Sequence, residues 1–427
     1  MVKLAGTLNR LGPANVMVVG DMLLDVYTFG KARRISPEAP VAIIHVEKEE
    51  HRAGGAGNVV LSLLSLGAKV VAVGRVGHDS AGDRLRDSLQ KEGVAIDAII
   101  RQEAYTTPVK NRIISHSQQI VRVDYEQATP MPQADEQRII DRLPELMKGI
   151  DIVAISDYGK GFLSRTLLAA LIACAKKNGI PVIADPKGTD FTKYSGVTLI
   201  KPNLSEAFAA ARLTDQAPLE DVAKNIFETI DSEYLMVTRS EAGIALFHTD
   251  GTRQDFPVQA QEVKDVTGAG DTVLAMLTYA IANGLSYAEA AQLCNIAAGV
   301  AIQHVGCARV TLGDIAHRLH MTHCDNKIFD EDHLFALKRV LRERPFAVLH
   351  LSKEAGLNGE GLSEDVFKAI RQLAQKEGRN LLVSVDSCDN TLPLIHMLAS
   401  LREVNYIFVN KGSKTNLFAD LRPEEQR

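Results

Sequence analysis

The chain has 427 residues, of which 46% are hydrophobic and 24% charged, and its formal net charge is −5. This length predicts two domains with substantial cores. No block rich in lysine and arginine occurs, which argues against a nucleic-acid surface. The five cysteines form no Cys-x-x-Cys pair, which favours a reducing cytoplasm over a disulfide framework. Polar residues interrupt the N-terminal segment and no uncharged stretch matches a bilayer, so neither a signal peptide nor a membrane partner is expected.

Short apolar runs alternate with helical patterns along the first part of the chain. Five runs predict buried strands, at residues 16–20, Ile152–Ser156, Val182–Asp185, 198–200 and Tyr234–Thr238. Helices are predicted between several of them, at 164–177 and Leu219–Thr229. Strands separated by helices predict an α/β fold with a doubly wound, mostly parallel sheet that is covered on both faces.

Two segments break this alternation, from about residue 39 to 46 and from about 108 to 124. Both are rich in β-forming residues, and neither has a helix between its strands. They predict a small antiparallel β-flap beside the main sheet. Active sites of such sheets lie at the carboxyl ends of the strands, where several polar motifs of this chain occur.

The first two motifs are near the N-terminus. Asp21 and Asp25 follow the first strand, where their carboxylates could accept hydrogen bonds from sugar hydroxyls; the alternative is a solvated turn with a helix cap. Gly54 and Gly55 permit a ligand to approach the backbone closely, and Asn58 can donate and accept at one hydroxyl. The alternative for this pair is a loop that needs positive φ.

Two further motifs follow strands in the middle of the chain. Asn203 and Glu206 are three residues apart at a helix start, where they could hold a hydrated Mg²⁺ near phosphates. The alternative is an Asn N-cap with a capping-box Glu. Thr238, Arg239 and Ser240 could bind nucleotide phosphates, with a β-hairpin turn as the alternative.

The most informative motif is Asp265-Val266-Thr267-Gly268-Ala269-Gly270-Asp271, which precedes an apolar helical pattern. Glycines at a helix start let backbone N–H groups converge on an anion, and the helix dipole favours negative charge there. The carboxylate of Asp271 comes next. An anion cradle beside a general base suits phosphoryl transfer from a nucleotide to a hydroxyl.

From about residue 327 the pattern is again αβαβ. Strands are predicted at Phe346–Leu351, 381–386 and 406–409, and helices at 364–375 and 392–401. Near the junction, three histidines share a helix face beside a cysteine: His317, His320, His323 and Cys324. A zinc site would need such ligands, but the spacing fits no strong zinc pattern and favours a polar linker helix.

The order of these motifs resembles the ribokinase-like (PfkB) carbohydrate kinases, over about residues 1–314. The diglycine element is early, Asn-x-x-Glu is central and Asp-x-Thr-Gly-Ala-Gly-Asp is late. Further segments resemble the kinase half of the bacterial bifunctional enzymes of ADP-heptose synthesis: 34–41, 118–124, 156–161, 185–191 and 237–241. This resemblance implies ATP- and Mg²⁺-dependent phosphorylation of D-glycero-β-D-manno-heptose 7-phosphate at its anomeric hydroxyl, for lipopolysaccharide.

The resemblance also implies roles for the matched residues. Asp271 matches the catalytic base, and the anion hole is matched by Gly268, Ala269 and Gly270. The nucleotide side is matched by Asn203, Glu206, Thr238, Ser240 and Thr267, of which Asn203 and Glu206 would hold Mg²⁺ through water. The sugar side is matched by Asp21, Asp25, Gly54, Gly55 and Asn58. Four cations are candidates for the 7-phosphate: Lys110, Arg112, Arg122 and Lys187.

Members of this family use the flap as a lid and dimer clasp, so a homodimer is expected. Some of them bind a monovalent cation near the anion hole, where Asp265 and residues 301–309 fall here; no ligands are assigned to it. The sequence alone leaves another PfkB substrate, such as a different sugar phosphate or a nucleoside, as an alternative.

The C-terminal pattern resembles the start of a Rossmann-like nucleotidyltransferase, the second half of the bifunctional enzymes. That family carries His-x-Gly-His after its first strand, whereas residues 356–365 here contain no histidine. The sequence therefore predicts a kinase domain over 1–318, a linker over 319–330 and a degenerate domain over 331–427 without adenylyltransferase activity. The alternatives are adenylyl transfer through other residues, or a nucleotide-binding scaffold for a separate adenylyltransferase partner.

Overall fold

The computed structural model describes most of the chain up to Met321 and shorter segments beyond it. The described residues are 7–115, 118–258, 263–304, 306–321, 327–331, 334–342, 345–351, 362–374, 379–386, 391–401, 403–410, 418, 421 and 425–426. Contacts divide the chain into two compact units. The larger unit spans Gly12–Val310, and the other comprises Met1–Leu11 and Thr311–Arg427.

The larger unit alternates strands and helices. Its strands are β1 (Asn15–Gly20), β2 (Met22–Ile35), β3 (Ala42–Gly55), β4 (Lys69–Gly77), β5 (Ile99–Gln102), β6 (Val109–Ser115), β7 (Gln118–Tyr125), β8 (Ile152–Ser156), β9 (Val182–Asp185), β10 (Leu199–Ile200), β11 (Tyr234–Thr238), β12 (Ile244–His248) and β13 (Arg253–Phe256). Its helices are α1 (Ala56–Leu66), α2 (Ser80–Lys91), α3 (Gln133–Leu146), α4 (Arg165–Lys177), α5 (Leu204–Ala211), α6 (Leu219–Thr229), α7 (Ala269–Ala282) and α8 (Tyr287–Ala301).

A nine-stranded sheet forms the centre of this unit, in the order β13-β12-β11-β10-β9-β8-β1-β4-β5. All neighbours are parallel except the pairs β11–β12 and β12–β13. Met17 and Val19 of β1 pack into a cluster with residues of α3 to α6. Helices α1 and α7 contact β1 on its remaining side, where Val16 and Val18 are fully buried. The predicted doubly wound, mostly parallel sheet is therefore confirmed.

A four-stranded sheet, in the order β3-β2-β6-β7, forms the flap. Its outer pairs are antiparallel, but β2 and β6 run parallel. The prediction of an antiparallel flap is therefore wrong for its central pair, β2 and β6. It also missed β2, because Asp25 and the basic residues near its end hide the strand pattern. Only Asp21 separates β1 from β2, so the chain passes directly from the main sheet into the flap.

The second unit has its own sheet, in the order β14-β17-β16-β15-β18 with all pairs parallel. Its strands are β14 (Ile328–Phe329), β15 (Phe346–Leu351), β16 (Asn380–Asp386), β17 (Tyr406–Asn410) and β18 (Glu425–Gln426). Its helices are α9 (Leu312–Met321), α10 (Leu334–Arg342), α11 (Glu364–Ala374) and α12 (Thr391–Ser400). The strand order β17-β16-β15-β18 is the Rossmann-like 3-2-1-4 arrangement.

The unit boundary differs from the predicted domain boundary at 318. Helix α9 packs against α10 and so joins the second unit, and β14, inside the predicted linker, pairs with β17. His317 lies on α9, but His323, Cys324 and the side chain of His320 are outside the described residues. Within the described segments no group of three metal-ligating side chains occurs. None of the described helices is long and apolar enough to cross a membrane.

Candidate active site

Helix α7 begins beside the loop that follows the carboxyl end of β8, because Asp271 in its first turn accepts a hydrogen bond from Tyr158 of that loop. Its N-cap, Gly268, has φ of 77°, a left-handed conformation that favours glycine. A Cβ at this position would lie 2.9 Å from the Asn58 Nδ2 and 3.0 Å from the Cys307 Sγ. A Cβ at Gly270 would meet nothing within 4 Å, so the space beside this turn is open. The first turn of α7 thus presents backbone N–H groups to an accessible space, as an anion site requires.

Asp271, in the first turn of α7, is 4% exposed and accepts two hydrogen bonds. Asn58 Nδ2 donates to its Oδ2 at 2.8 Å, and the Tyr158 hydroxyl donates to its Oδ1 at 2.7 Å. Burial raises the pKa of Asp271 to about 7, against the lowering effect of these two bonds. A carboxyl that titrates near neutrality beside an anion site can accept a proton from a substrate hydroxyl.

The residues predicted for the sugar side lie at and beside the start of the flap. Arg112 of β6 pairs with the buried Asp25 of β2. A Cβ on Gly54 would lie 2.3 Å from the Asp25 Oδ2, and Gly55 has φ of 56°. Both glycines are therefore needed for close packing of β2 on β3 and for the entry into α1. That packing brings Asn58, in the first turn of α1, to Asp271.

The carboxylate of Asp21 accepts backbone hydrogen bonds that the sequence did not indicate. Its Oδ2 accepts from the backbone N–H of Tyr158 at 2.9 Å and of Lys160 at 3.0 Å, and its Oδ1 accepts from that of Phe162 at 3.4 Å. Burial, and then the nearby Asp157, raise its pKa. Both carboxylate oxygens thus hold the loop that follows β8.

The four candidate cations differ in their partners. Arg112 is paired with Asp25, Arg122 donates to Asp124 at 2.8 Å on the exposed β7, and Lys187 Nζ contacts Glu206 at 2.6 Å. Lys110 Nζ lies 5.4 Å from the centroid of the Tyr158 ring and forms no direct ion pair among the described residues, although the charges of Glu126 and Asp25 favour its ionised form. Burial lowers the pKa of Lys110. Of the four candidate cations, Lys110 is thus the one without a direct ion pair in the described part of the chain, and it lies beside the tyrosine that donates to Asp271.

The Asn-x-x-Glu motif forms a capping box. Asn203 Oδ1 accepts from the Glu206 N–H at 2.9 Å, and Glu206 Oε2 accepts from the Asn203 N–H at 3.1 Å. Asp185, whose pKa is raised by burial, lies 3.0 Å from Lys201 Nζ nearby. The two capping residues thus form no protein cage for a metal. A single carboxylate, that of Glu206, is compatible with Mg²⁺, because this ion keeps several water ligands and takes further ligands from substrate phosphates.

The residues predicted for the nucleotide side are held in different places. Thr238 donates its backbone N–H to the Pro202 carbonyl at 3.1 Å and bridges to Asn203. Ser240 begins the short turn of the predicted β-hairpin between β11 and β12. Thr267 donates its N–H and hydroxyl to Asp265 Oδ1, at 2.9 and 2.7 Å. The structure thus brings Thr238 beside the capping box and links Thr267 to Asp265.

A cavity of about 250 Å³ opens beside Asn58 and Cys307, and Arg52 and Arg309 also line it. A larger cavity of about 620 Å³, between residues near Phe191 and the ends of α5 and α6, contains none of the predicted site residues. The smaller cavity is connected to Asp271 and Gly268 through two of its lining residues, because Asn58 donates to Asp271 and Cys307 lies beside Gly268.

Sequence reasoning missed three residues of this region as members of the site. Tyr158 donates to Asp271, Asp185 raises the pKa of Asp271 after burial, and Cys307 faces Gly268. For Tyr158 and Asp185 a signal existed, because Tyr158 closely follows the buried parallel strand β8 and Asp185 is the last residue of β9. Cys307 lies within residues 301–309, which the resemblance places near the anion hole, but nothing in the sequence singles it out because its position depends on the packing of the segment after α8.

Residues 13–312 match the pfkB family of carbohydrate kinases. The match covers most of the chain and all of the site just described. The chain therefore belongs to the pfkB family of carbohydrate kinases and is a kinase.

Relatives and solved structures agree with this assignment. The chain is similar to the bifunctional protein HldE of Pelobacter propionicus, with 38% identity over 97% of this chain and 88% of the relative. It is similar in fold to Escherichia coli phosphofructokinase-2 in complex with potassium, with a TM-score of 0.60 and 19% identity over 72% of this chain and 98% of the other. Arabidopsis thaliana ribokinase complexed with ribose and ATP gives a TM-score of 0.57 and 20% identity, over 72% and 99% of the two chains.

Proposed function

We propose that this kinase transfers the γ-phosphoryl group of ATP to the anomeric hydroxyl of D-glycero-β-D-manno-heptose 7-phosphate, giving heptose 1,7-bisphosphate for ADP-heptose synthesis. The observation that carries the proposal is Asp271, a buried carboxyl with a pKa of about 7 in the first turn of an open helix N-terminus. The similarity to HldE over nearly the whole chain supports the heptose substrate.

The residues divide the reaction between them. Asp271 accepts the proton of the attacking hydroxyl, while the backbone N–H groups of Gly268, Ala269 and Gly270 bind the transferring phosphoryl group. Asn203 and Glu206 would hold Mg²⁺ through water, and the ion would neutralise phosphate charge. Thr238, Ser240 and Thr267 lie on the nucleotide side.

The sugar is held on the flap side of the base. Asn58, with Asp25 and the backbone at Gly54 and Gly55, faces the sugar hydroxyls, and Asp21 shapes this site through the loop after β8. Lys110 binds the remote phosphate, which is supported by its position beside the Tyr158 ring and by the lack of a direct ion pair to it within the described part of the chain. A phosphorylated substrate would supply a direct anionic partner for this half-buried ammonium, which Glu126 and Asp25 reach only through longer-range attraction.

We further propose that the flap joins two copies of the chain in a homodimer. Large apolar side chains are exposed on and beside its strands: Ile35, Val41, Val46, Ile120, Val121 and Tyr125. A surface of this kind is typical of an interface between subunits.

A monovalent cation near Asp265 is proposed from the potassium complex of the Escherichia coli neighbour. The ATP requirement and the free cysteines of the described chain support a cytoplasmic enzyme.

An ADP-release assay with Mg-ATP tests the substrate. We expect strong turnover with D-glycero-D-manno-heptose 7-phosphate and much weaker turnover with other sugar phosphates, unphosphorylated sugars and nucleosides. Preferred turnover of another sugar would retain the kinase assignment and overturn the heptose substrate. A complete lack of turnover across this panel would favour the scaffold alternative, in which the chain only binds nucleotide beside a separate adenylyltransferase.

The second unit is proposed to lack adenylyltransferase activity. Its strand order is Rossmann-like, but the sequence has no His-x-Gly-His motif to stabilise the phosphates of ATP. Of residues 356–365, where that motif would fall, 356–361 lie outside the described residues. We expect no pyrophosphate release when the protein receives heptose 1-phosphate and ATP. Sustained, sugar-dependent pyrophosphate release would contradict this proposal.

A further inference from the structure

Tyr158 links the base to the cation proposed for the remote phosphate. Its hydroxyl donates to Asp271 Oδ1 at 2.7 Å, and its ring lies 5.4 Å from Lys110 Nζ. The second oxygen of Asp271 accepts from Asn58. Each carboxylate oxygen therefore has one fixed donor and one remaining lone pair, which leaves room for a substrate hydroxyl.

The loop that carries Tyr158 is held from two sides by buried charges. Asp21 accepts from the backbone N–H groups of Tyr158, Lys160 and Phe162, and Arg75 Nη2 donates to the Lys160 carbonyl at 2.6 Å. Arg75 is fully buried. Burying a carboxylate and a guanidinium is costly unless both are hydrogen-bonded, and here their bonds converge on one short loop.

A third charge fixes the start of the same loop. Asp157 accepts from the Gly159 N–H at 2.7 Å, from Lys193 Nζ at 2.5 Å and from the Tyr194 hydroxyl at 2.6 Å. The position of the Tyr158 hydroxyl is thus set before any substrate binds. A pre-positioned donor avoids the reorganisation that a mobile side chain would require.

The acidic groups near Asp271 oppose its ionisation. Asp185 from β9 and Asp25 from β2 raise its pKa, and the partly buried Cys307 thiol also lies nearby. Asn58 and Tyr158 donate hydrogen bonds that favour the ionised form. Of these two donors, Tyr158 is the one whose backbone N–H is bound by a buried carboxylate, that of Asp21.

We propose that Tyr158 is a positioning residue, whose hydroxyl orients and stabilises the ionised carboxylate of Asp271 for proton acceptance. This inference rests on the role proposed above for Asp271. The Tyr158 hydroxyl itself transfers no proton to the substrate. It keeps the carboxylate charged and aimed at the sugar hydroxyl in an environment that otherwise favours the protonated acid.

The test is the pH dependence of kcat/KM for the wild type and Tyr158→Phe, which keeps the ring beside Lys110. The wild-type rate rises with pH as Asp271 ionises, with an apparent pKa of about 7. Loss of the hydrogen-bond donor raises the pKa of Asp271. The rising limb of the pH profile of kcat/KM therefore moves to higher pH by about one unit. At pH values below the limb, kcat/KM falls about tenfold, and much of it returns at high pH.

Tyr279→Phe is the matched control. It also removes the hydroxyl of a fully buried tyrosine, but this hydroxyl lies beside Gly67, at the opposite end of α1 from Asn58. We expect it to lower thermal stability and to leave the limb in place. An equal displacement in both variants, or an unmoved limb in Tyr158→Phe, would overturn the proposal.

Asp271→Asn separates this inference from the proposed function. If that variant is inactive and the limb of Tyr158→Phe is unmoved, the positioning role fails and the base assignment stands. If Asp271→Asn retains turnover, the base assignment itself fails. Should Tyr158→Phe not fold, replacing Tyr158 by a fluorinated tyrosine keeps the packing and strengthens the donor. The limb should then move to lower pH, and an unmoved limb would again overturn the proposal.

Discussion

Asp271→Asn should reduce kcat by about 10²–10⁴-fold, the usual contribution of a general base. The amide keeps the size of the side chain, but it cannot accept the proton of the sugar hydroxyl. Nucleotide affinity should remain largely unchanged, because the base acts mainly in the chemical step. The measurements are the steady-state rate of ADP release and the Kd of ATP.

The melting temperature and a control variant distinguish loss of the base from a folding defect. Burial disfavours the charged form of Asp271, so its replacement by a neutral amide should not lower the melting temperature at pH 8. Asp215→Asn, at an exposed position between α5 and α6, serves as the matched control and should behave as wild type. Retained kcat in Asp271→Asn would remove this residue from the proposed role.

Lys110→Met should raise KM for the sugar phosphate by about 10- to 150-fold, the equivalent of about 1.5–3 kcal/mol for a charged hydrogen bond. Methionine retains most of the apolar stem, while the ammonium that would meet the phosphate is lost. The KM of ATP should change little. The kcat/KM for the same sugar without its phosphate should also change little, because that substrate has no group for Lys110 to bind.

Arg122→Met provides the comparison on the neighbouring strand. Arg122 is half-exposed and already paired with Asp124, so its loss removes a surface ion pair of small energetic value. A larger rise in KM from Arg122→Met than from Lys110→Met would assign the phosphate to β7. An equal loss of activity toward phosphorylated and unphosphorylated sugar in Lys110→Met would indicate disruption around Tyr158.

The main sheet was predictable because its strands are continuous apolar runs between helices. Residues Ile152–Ser156 are wholly buried, as a parallel strand covered on both faces requires. The motif from Asp265 to Asp271 was readable for a similar reason, since its glycines and carboxylate act through local backbone geometry. For Asn203 and Glu206, the capping box alone was also predictable from their spacing.

Side-chain partners across the sheet were not predictable. Asp21 and Asp25 look equivalent in the sequence, yet Asp21 binds a loop more than 130 residues away and Asp25 pairs with Arg112 of the flap. The strand β2 was missed for a related reason. Its outer part is exposed and basic, so it lacks the apolar pattern that marks the strands of the main sheet.

The single residue between β1 and β2 limits how the flap can move. Asp21 is itself held by three backbone N–H groups, so the chain has no slack between the main sheet and the inner part of β2. The register of β2 against β3 shifts at Phe29/Gly30 and again at Ala32/Arg34. Bulges of this kind interrupt the hydrogen-bond ladder and bend the strand. Closure over a substrate would therefore bend the outer half of the flap at these bulges. The inner half would stay fixed relative to the main sheet and Asp271.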